Sequence, residues 1–267
     1  MRLSRMVLSR GICAAVMAMV SGMAAKTAVA ACLLGMVDRA PTGQLAAVGT
    51  AGNALMLAQM ATVPKGKVSV TYIGHSSFLI ETPFAPNIVT MNFSHETHYT
   101  DVIQEGVIHV LRGWKPGGGM ARHDIRYKDL RVFNLPTNIG EYGDQGTNNN
   151  SIFVFEIANL CIAHLGHLHH VLTPEQLQAL GRIDVLFVPI DGSSTLSHPN
   201  AIAVIQQISP RLIVPMHYGF FGAADMFFEL AKKHWAIKSE PGSQILIGRD
   251  TLPRNTEVWF LQGGGTF

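Results

Sequence analysis

The sequence predicts an α/β sandwich of two sheets with outer helices, and three observations carry that prediction. Strand-like runs dominate from residue 68 onward, β-α alternation takes over in the later part of the chain, and histidines stand at the ends of separate strands. Its 267 residues, 48% of them hydrophobic, suit one large domain or about two small ones, with ample core. A formal charge of +2 with 14% charged residues leaves no basic surface that would argue for nucleic acid.

In chain order, residues 33–64 are rich in Ala, Gly, Met and Leu. A helix over residues 44–60 is interrupted by Gly49 and Gly52. Residues 68–73 alternate like a half-buried strand, Gly74-His75-Ser76-Ser77 turns the chain, and residues 78–81 begin a return strand. A β-branched run over 88–91 leads to Asn92-Phe93-Ser94-His95-Glu96-Thr97-His98-Tyr99. Residues 114–120 form a Gly-rich loop without phosphate-binding spacing. Residues 132–135 are a further strand followed by Pro136-Thr137-Asn138, and 140–150 are a polar loop. Residues 151–157 and 160–163 read as strands joined by an Ala158-Asn159 turn.

Helix signals are sharper. Thr173 as N-cap, Pro174 at the first helical position and Gln176 make a capping box, with Gly181 at the far end. The apolar run 183–190, ending in Asp191-Gly192, reads as a strand covered on both faces. A helix over 199–208 precedes the strand 211–215, which runs into Met216-His217-Tyr218. A helix over 223–234 and strands at 244–247 and 257–261 complete the chain.

The first residues have the form of an export signal: Arg2, Arg5 and Arg10 precede an apolar run over 11–25. Ala28-Val29-Ala30 offers a signal-peptidase site. Val29-Ala30-Ala31-Cys32 equally resembles a lipoprotein box, in which a lipidated Cys32 would tether the protein to a membrane. Both readings place the protein in the periplasm or facing it. They divide the chain into a signal over 1–31, a lead-in over 32–66 and a domain over 67–267. Of the three cysteines, Cys13 leaves with the signal and Cys161 falls in a buried strand, so no disulfide framework is expected.

Four of the twelve histidines, His164, His167, His169 and His170, fall within seven residues directly after a strand-like run. His95 and His98 follow another strand, and His217 a third. Neutral imidazole is the commonest zinc ligand, and strand ends hold ligands more accurately than loops do.

Several segments, in order, resemble the metallo-β-lactamase-fold hydrolases, and among them the ascorbate-phosphate-lactonase-like branch. They are Gly74-His75-Ser76-Ser77-Phe78-Leu79-Ile80, the His95/His98 segment, Asn150-Ser151-Ile152-Phe153-Val154, Ala163-His164-Leu165-Gly166-His167, Ile183-Asp184-Val185-Leu186 and Pro215-Met216-His217-Tyr218. The resemblance implies a four-layer αββα sandwich and a metal-dependent hydrolase acting on a small-molecule ester, lactone, amide or phosphodiester. It also exposes departures. The first motif, His-x-His-x-Asp-His, becomes Phe93-Ser94-His95-Glu96-Thr97-His98, and a bridging carboxylate becomes His167. An isolated histidine is replaced near Asn138. The connection between Glu81 and Ile88 is too short for a strand the family commonly has there.

Carried over residue by residue, the losses leave His98, His167 and His217 around one Zn2+ rather than two, with His95 as a fourth ligand or a contact to bound water. Mn2+ and Fe2+ are the alternatives. Thr97 replaces the aspartate that orients water, so Asp191 is the carboxylate left for proton transfer. Tyr218 and Tyr99 are candidate donors to a developing oxyanion. His75, His164 and His169 are candidates for outer contacts to the ligands or the substrate, with satisfaction of backbone groups as the competing role. Against the enzyme stands a non-catalytic descendant that keeps the fold and binds metal or ligand.

Overall fold

The computed structural model describes residues 32, 63–83, 88–95, 98–103, 105–139, 150–218 and 222–262. The signal, the interrupted helix over 44–60 and Thr97 lie outside the described residues.

An eight-stranded mixed sheet forms the frame, in the order β11-β13-β10-β9-β8-β7-β6-β5. Its antiparallel half comprises β5 (Asp124–Tyr127), β6 (Leu130–Thr137), β7 (Asn150–Ile157) and β8 (Leu160–His164). The parallel half adds β9 (Val185–Pro189), β10 (Leu212–Met216), β13 (Glu257–Leu261) and β11 (Ala236–Glu240). Crossovers between parallel strands run through α1 (Pro174–Leu180) and α2 (His198–Ile208), and α3 (Ala223–Ala231) follows β10. The expected Thr173 capping box closes the first turn of α1: Thr173 Oγ1 accepts from the Gln176 amide, and Gln176 Oε1 accepts from the Thr173 amide.

A smaller inner layer consists of β12 (Gln244–Ile247), β1 (Val68–Gly74) and β2 (Ser77–Glu81) in one sheet, and β3 (Ile88–Met91) with β4 (His109–Arg112) in another. Side chains on a strand point alternately to its two faces, and the central strands β8, β9 and β10 of the large sheet are buried on both. In β9, Val185 and Phe187 enter the inter-sheet core with Val68, Val70 and Ile247, while Leu186 and Val188 enter the core under the helices with Ile205 and Phe227. Phe187 stacks on Phe78 of β2 with ring centroids 4.1 Å apart, which locks the two sheets face to face.

The α/β metallo-β-lactamase architecture is therefore present. Among the described residues the helices cover only the outer face of the large sheet, so three of the four expected layers are seen. Strands β4, β5 and β11 were not expected. They are short and carry charged or exposed residues, with little apolar patterning to announce them.

The cysteine expectation is corrected. Cys32 forms a disulfide with Cys161 of β8 across 129 residues, with Cα atoms 5.8 Å apart. The Cys32 amide donates to Glu156 Oε1 and its carbonyl accepts from the Arg182 amide. The sulfur that a lipid thioether would need is thus already bonded. A cross-link closing so long a loop stabilises chiefly by restricting the unfolded chain, by about 2–5 kcal/mol. Cys161→Ser, or reduction of the native protein, should lower unfolding free energy by about that amount in denaturant titrations; a midpoint indifferent to reductant would contradict this role for the bond.

Candidate metal centre

The candidate site lies along one edge of the molecule, where the carboxyl ends of β8, β9 and β10 meet the β1–β2 turn. Ligand sites of open α/β sheets collect at such ends, because the chain leaves the sheet there and side chains converge.

Each histidine arrives by a different local device. His75 occupies the β1–β2 turn with φ 50°, and His217, just beyond β10, has φ 58°. Left-handed backbone at non-glycine residues costs about 1–3 kcal/mol and persists where surroundings enforce it. The enforcing contacts are present: the His75 carbonyl accepts from the His217 amide at 2.6 Å and from the Tyr72 hydroxyl at 2.9 Å. His98 follows β3, and its Nδ1 lies 3.1 Å from Ser76 Oγ.

One ring nitrogen from each of His75, His98 and His217 falls within 4.8 Å of the other two. Nε2 of His75 and of His217 are buried and have no hydrogen-bond partner. Buried polar nitrogens without partners are rare and destabilising unless something occupies the space between them. Three imidazoles on a tetrahedral ion with bonds of 2.0–2.1 Å would have nitrogens about 3.3 Å apart, so small ring movements would seat a divalent ion. The donor set fits zinc.

This trio differs from the expected one by His75, which stands where His167 was anticipated. His167 is adjacent: its ring centroid lies 4.6 Å from that of His98 and 5.4 Å from that of His217, with a buried, unpartnered Nδ1. Its backbone is fixed by the Asn150 carboxamide, which accepts from the His167 amide and donates to Thr137 Oγ1 and the Leu165 carbonyl. Gly166 makes that approach feasible. It has φ 63°, and a Cβ there would sit 2.5 Å from Asn150 Oδ1.

His95 is peripheral, with its ring 6.4 Å from that of His98 and stacked on Phe93. Phe93 also stacks on His167 at 4.7 Å. The phenyl ring that replaces the motif's first histidine therefore fills space beside the cluster with an apolar surface that offers no ligand.

The remaining expected residues divide sharply. Asp191, 6% exposed and just beyond β9, has Oδ2 3.2 Å from His217 Nδ1. Its oxygens also accept from the Ser194 and Thr195 amides and from Thr195 Oγ1. Burial raises its pKa, but His217 and these donors outweigh it and hold the carboxyl well below its usual range. Asp191 is thus held as a carboxylate against His217.

Tyr218 is also reassigned. Its hydroxyl donates to the Leu261 carbonyl and its ring stacks on Tyr72, so it braces β10 against β13 and β1 and is no oxyanion donor. His164 has both nitrogens engaged: Nδ1 accepts from the Gly166 amide, which leaves Nε2 as the protonated nitrogen donating to the Ser76 carbonyl at 2.8 Å. It fastens the β1–β2 turn to β8. His169 lies 5.0 Å from His167, ring to ring. The Asn138 amide lies 3.4 Å from His170 Nε2, and its Oδ1 is buried without a partner. Tyr99 packs edge-on against Trp114.

Crowding sets the protonation states. Burial, reinforced by His167, His217 and His75, pushes His98 down to about 3; burial, then His217 and His169, pushes His167 down to about 4. Burial likewise lowers His75. Near neutral pH these rings are uncharged with lone pairs available, the state a metal requires.

With the frame and the cluster in place, the chain's class is defined: it belongs to the β-lactamase superfamily domain family, whose model matches residues 81–217. At finer grain it is similar to UPF0173 proteins. It is 44% identical to one from Pyrococcus furiosus over 64 residues, 24% of this chain and 30% of that one. It is 20% identical over 220 residues to a UPF0173 metal-dependent hydrolase of Methanosarcina mazei, covering 67% and 95% of the two chains. The chain spans less than two thirds of the first relatives it matches, 30%, 38% and 55% of their lengths. A solved metallo-β-lactamase superfamily structure from Thermotoga maritima shares the fold, with a TM-score of 0.54 over 73% of this chain and 98% of that one at 23% identity.

The fully buried His164 yields a pH prediction. Burial holds its folded-state pKa at about 4, below the ordinary 6.5, so on acidification the unfolded chain takes up the proton first. Its contribution is complete above about pH 6.5 and is lost toward about pH 4, with a slope of up to about 1.4 kcal/mol per pH unit. Urea midpoints of metal-free protein should fall across that window; a flat profile would contradict the burial argument.

Proposed function

We propose that this protein is a metal-dependent hydrolase that holds one Zn2+ through His75, His98 and His217 and acts on an ester, lactone, amide or phosphodiester of a small molecule. The carrying observation is the convergence of three imidazole nitrogens, two of them buried and without partners. Family membership and the naming of the Methanosarcina mazei relative as a metal-dependent hydrolase support the reaction class. The Thermotoga maritima neighbour, named as a candidate Zn-dependent hydrolase, supports zinc, with Mn2+ and Fe2+ as alternatives.

When bound, zinc would polarise the scissile group and lower the pKa of water to about 7. The chain's own residues supply the rest. Asp191 keeps His217 oriented, Ser76 does so for His98, and the His217–His75 backbone hydrogen bond fixes the distance between two ligands. His167 Nδ1, neutral and beside His98, is an acceptor suited to orienting water or leaving a fourth donor at the centre. Phe93, stacked on both His95 and His167, supports one metal over two, because it occupies the flank where a second ligand set would have to assemble.

A second reading, a non-catalytic metal-binding protein, has its own support: both oxygens of Asp191 are already committed, which leaves no free carboxylate for proton transfer among the described site residues. The Cys32–Cys161 bond supports an oxidising compartment and therefore export to the periplasm.

Protein purified without added metal should carry about one equivalent of zinc, and none after triple replacement of His75, His98 and His217 by alanine. Generic esters, lactones and phosphodiesters should turn over in the wild type at least about a hundredfold faster than in that variant. Full metal loading with no turnover on any of them would favour the binding protein, and absence of metal would defeat both readings.

A further inference from the structure

We propose that the cavity between β2 and β3 binds the extended apolar portion of an acyl substrate, with the scissile end directed toward Ser76 and His98. This specifies the substrate class of the hydrolase described above and rests on that reading.

The cavity exists because the inner layer is interrupted. Among the described residues β2 pairs only with β1 and β3 only with β4, so two strand edges face each other across a space of about 460 Å³. Small-molecule sites span about 300–1,000 Å³. Phe78 and Ile80 of β2, Ile88 of β3, and Phe155 and Ile157 of β7 give it apolar walls continuous with the inter-sheet core. Such a surface left to water is unfavourable, by about 25 cal/mol for each Å², and an apolar ligand would recover that.

Imidazole and charged groups stand at the two ends. Ser76 and His98 lie where β2 departs from the candidate centre and β3 arrives at it, and both line the cavity. Lys128 and Asp129, in the β5–β6 turn, also line it, beyond the apolar walls. With five residues in β2 and four in β3, at about 3.3 Å each, the walls run roughly 13–17 Å, the reach of a medium-length acyl chain. A peptide strand added between the two edges is the competing occupant. The two free edges could hydrogen-bond a strand, but most side chains along the walls, Ser77 and Thr90 excepted, are apolar and continuous with the inter-sheet core, which favours an alkyl chain.

The test uses the full-length protein and the fluorescent probe dansyl-undecanoic acid. The probe should bind the wild type and be displaced by decanoate but not by acetate. Ile80→Trp and Thr90→Trp, which fill the slot from either edge, should each weaken probe binding by at least about tenfold, while zinc content stays at the wild-type level. From acetate to decanoate esters, kcat/KM should rise about two- to fourfold per methylene. Circular dichroism melts verify that each variant folds, and decanoate competition on the wild type decides the matter without any variant. Probe binding that is lost in the tryptophan variants, with no ester turned over, would support the cavity while refuting the hydrolase reading. Turnover of short esters without probe binding, or probe displacement by an alternating Val/Thr peptide and not by decanoate, would overturn the proposal.

Discussion

The candidate centre depends on one backbone clamp, the carbonyl of His75. It accepts the amide of His217 from the end of β10 and the hydroxyl of Tyr72 from within β1, while the neighbouring Ser76 carbonyl accepts from His164 at the end of β8. Two hydrogen bonds thus sew the tip of the inner sheet to two strand ends of the outer one, and the Tyr72 bond braces that tip from within β1. Two imidazoles far apart in the sequence are forced into ring contact, with centroids 4.1 Å apart. The left-handed backbone at both histidines is the local cost of that arrangement. Were the clamp broken, His75 and His217 would lose their fixed separation even with each strand intact.

Electrostatics follow from this packing. Imidazoles gathered in a half-buried space cannot all be charged, and burial with mutual repulsion lowers the pKa of His75, His98 and His167. One buried anion, Asp191, stands behind the cluster against His217 and the amides of its own loop. A carboxylate behind a histidine raises the basicity and fixes the tautomer of a ligand. Both oxygens of Asp191 are engaged there, by His217 and by the Ser194 and Thr195 donors.

Much of the frame was legible because its signals are local. The Thr173 capping box, the alternation in β1, the continuous apolar runs of β8, β9 and β10, and the histidines at the ends of β8 and β10 all sit within a few residues. What sequence reasoning missed was set by tertiary contact. His75 looked like a turn residue with an outer role, and only the clamp to His217 brings its ring into the donor set. Its one advance signal was a polar imidazole in a tight turn at the same edge as the other histidines. The Cys32–Cys161 bond spans 129 residues and has no spacing rule to betray it. Nothing near Tyr218 in the chain announces the Leu261 carbonyl, 43 residues away, that accepts its hydroxyl's hydrogen bond.

The central claim, that imidazoles from the β1–β2 turn, the segment after β3 and the end of β10 share one ion, is tested most directly by anomalous scattering from crystals of the zinc-loaded protein at the zinc edge. The account predicts one peak, about 2.0–2.1 Å from a ring nitrogen of each of His75, His98 and His217. A peak held by His95 and His167 without His75, or no peak within that cluster, would contradict it.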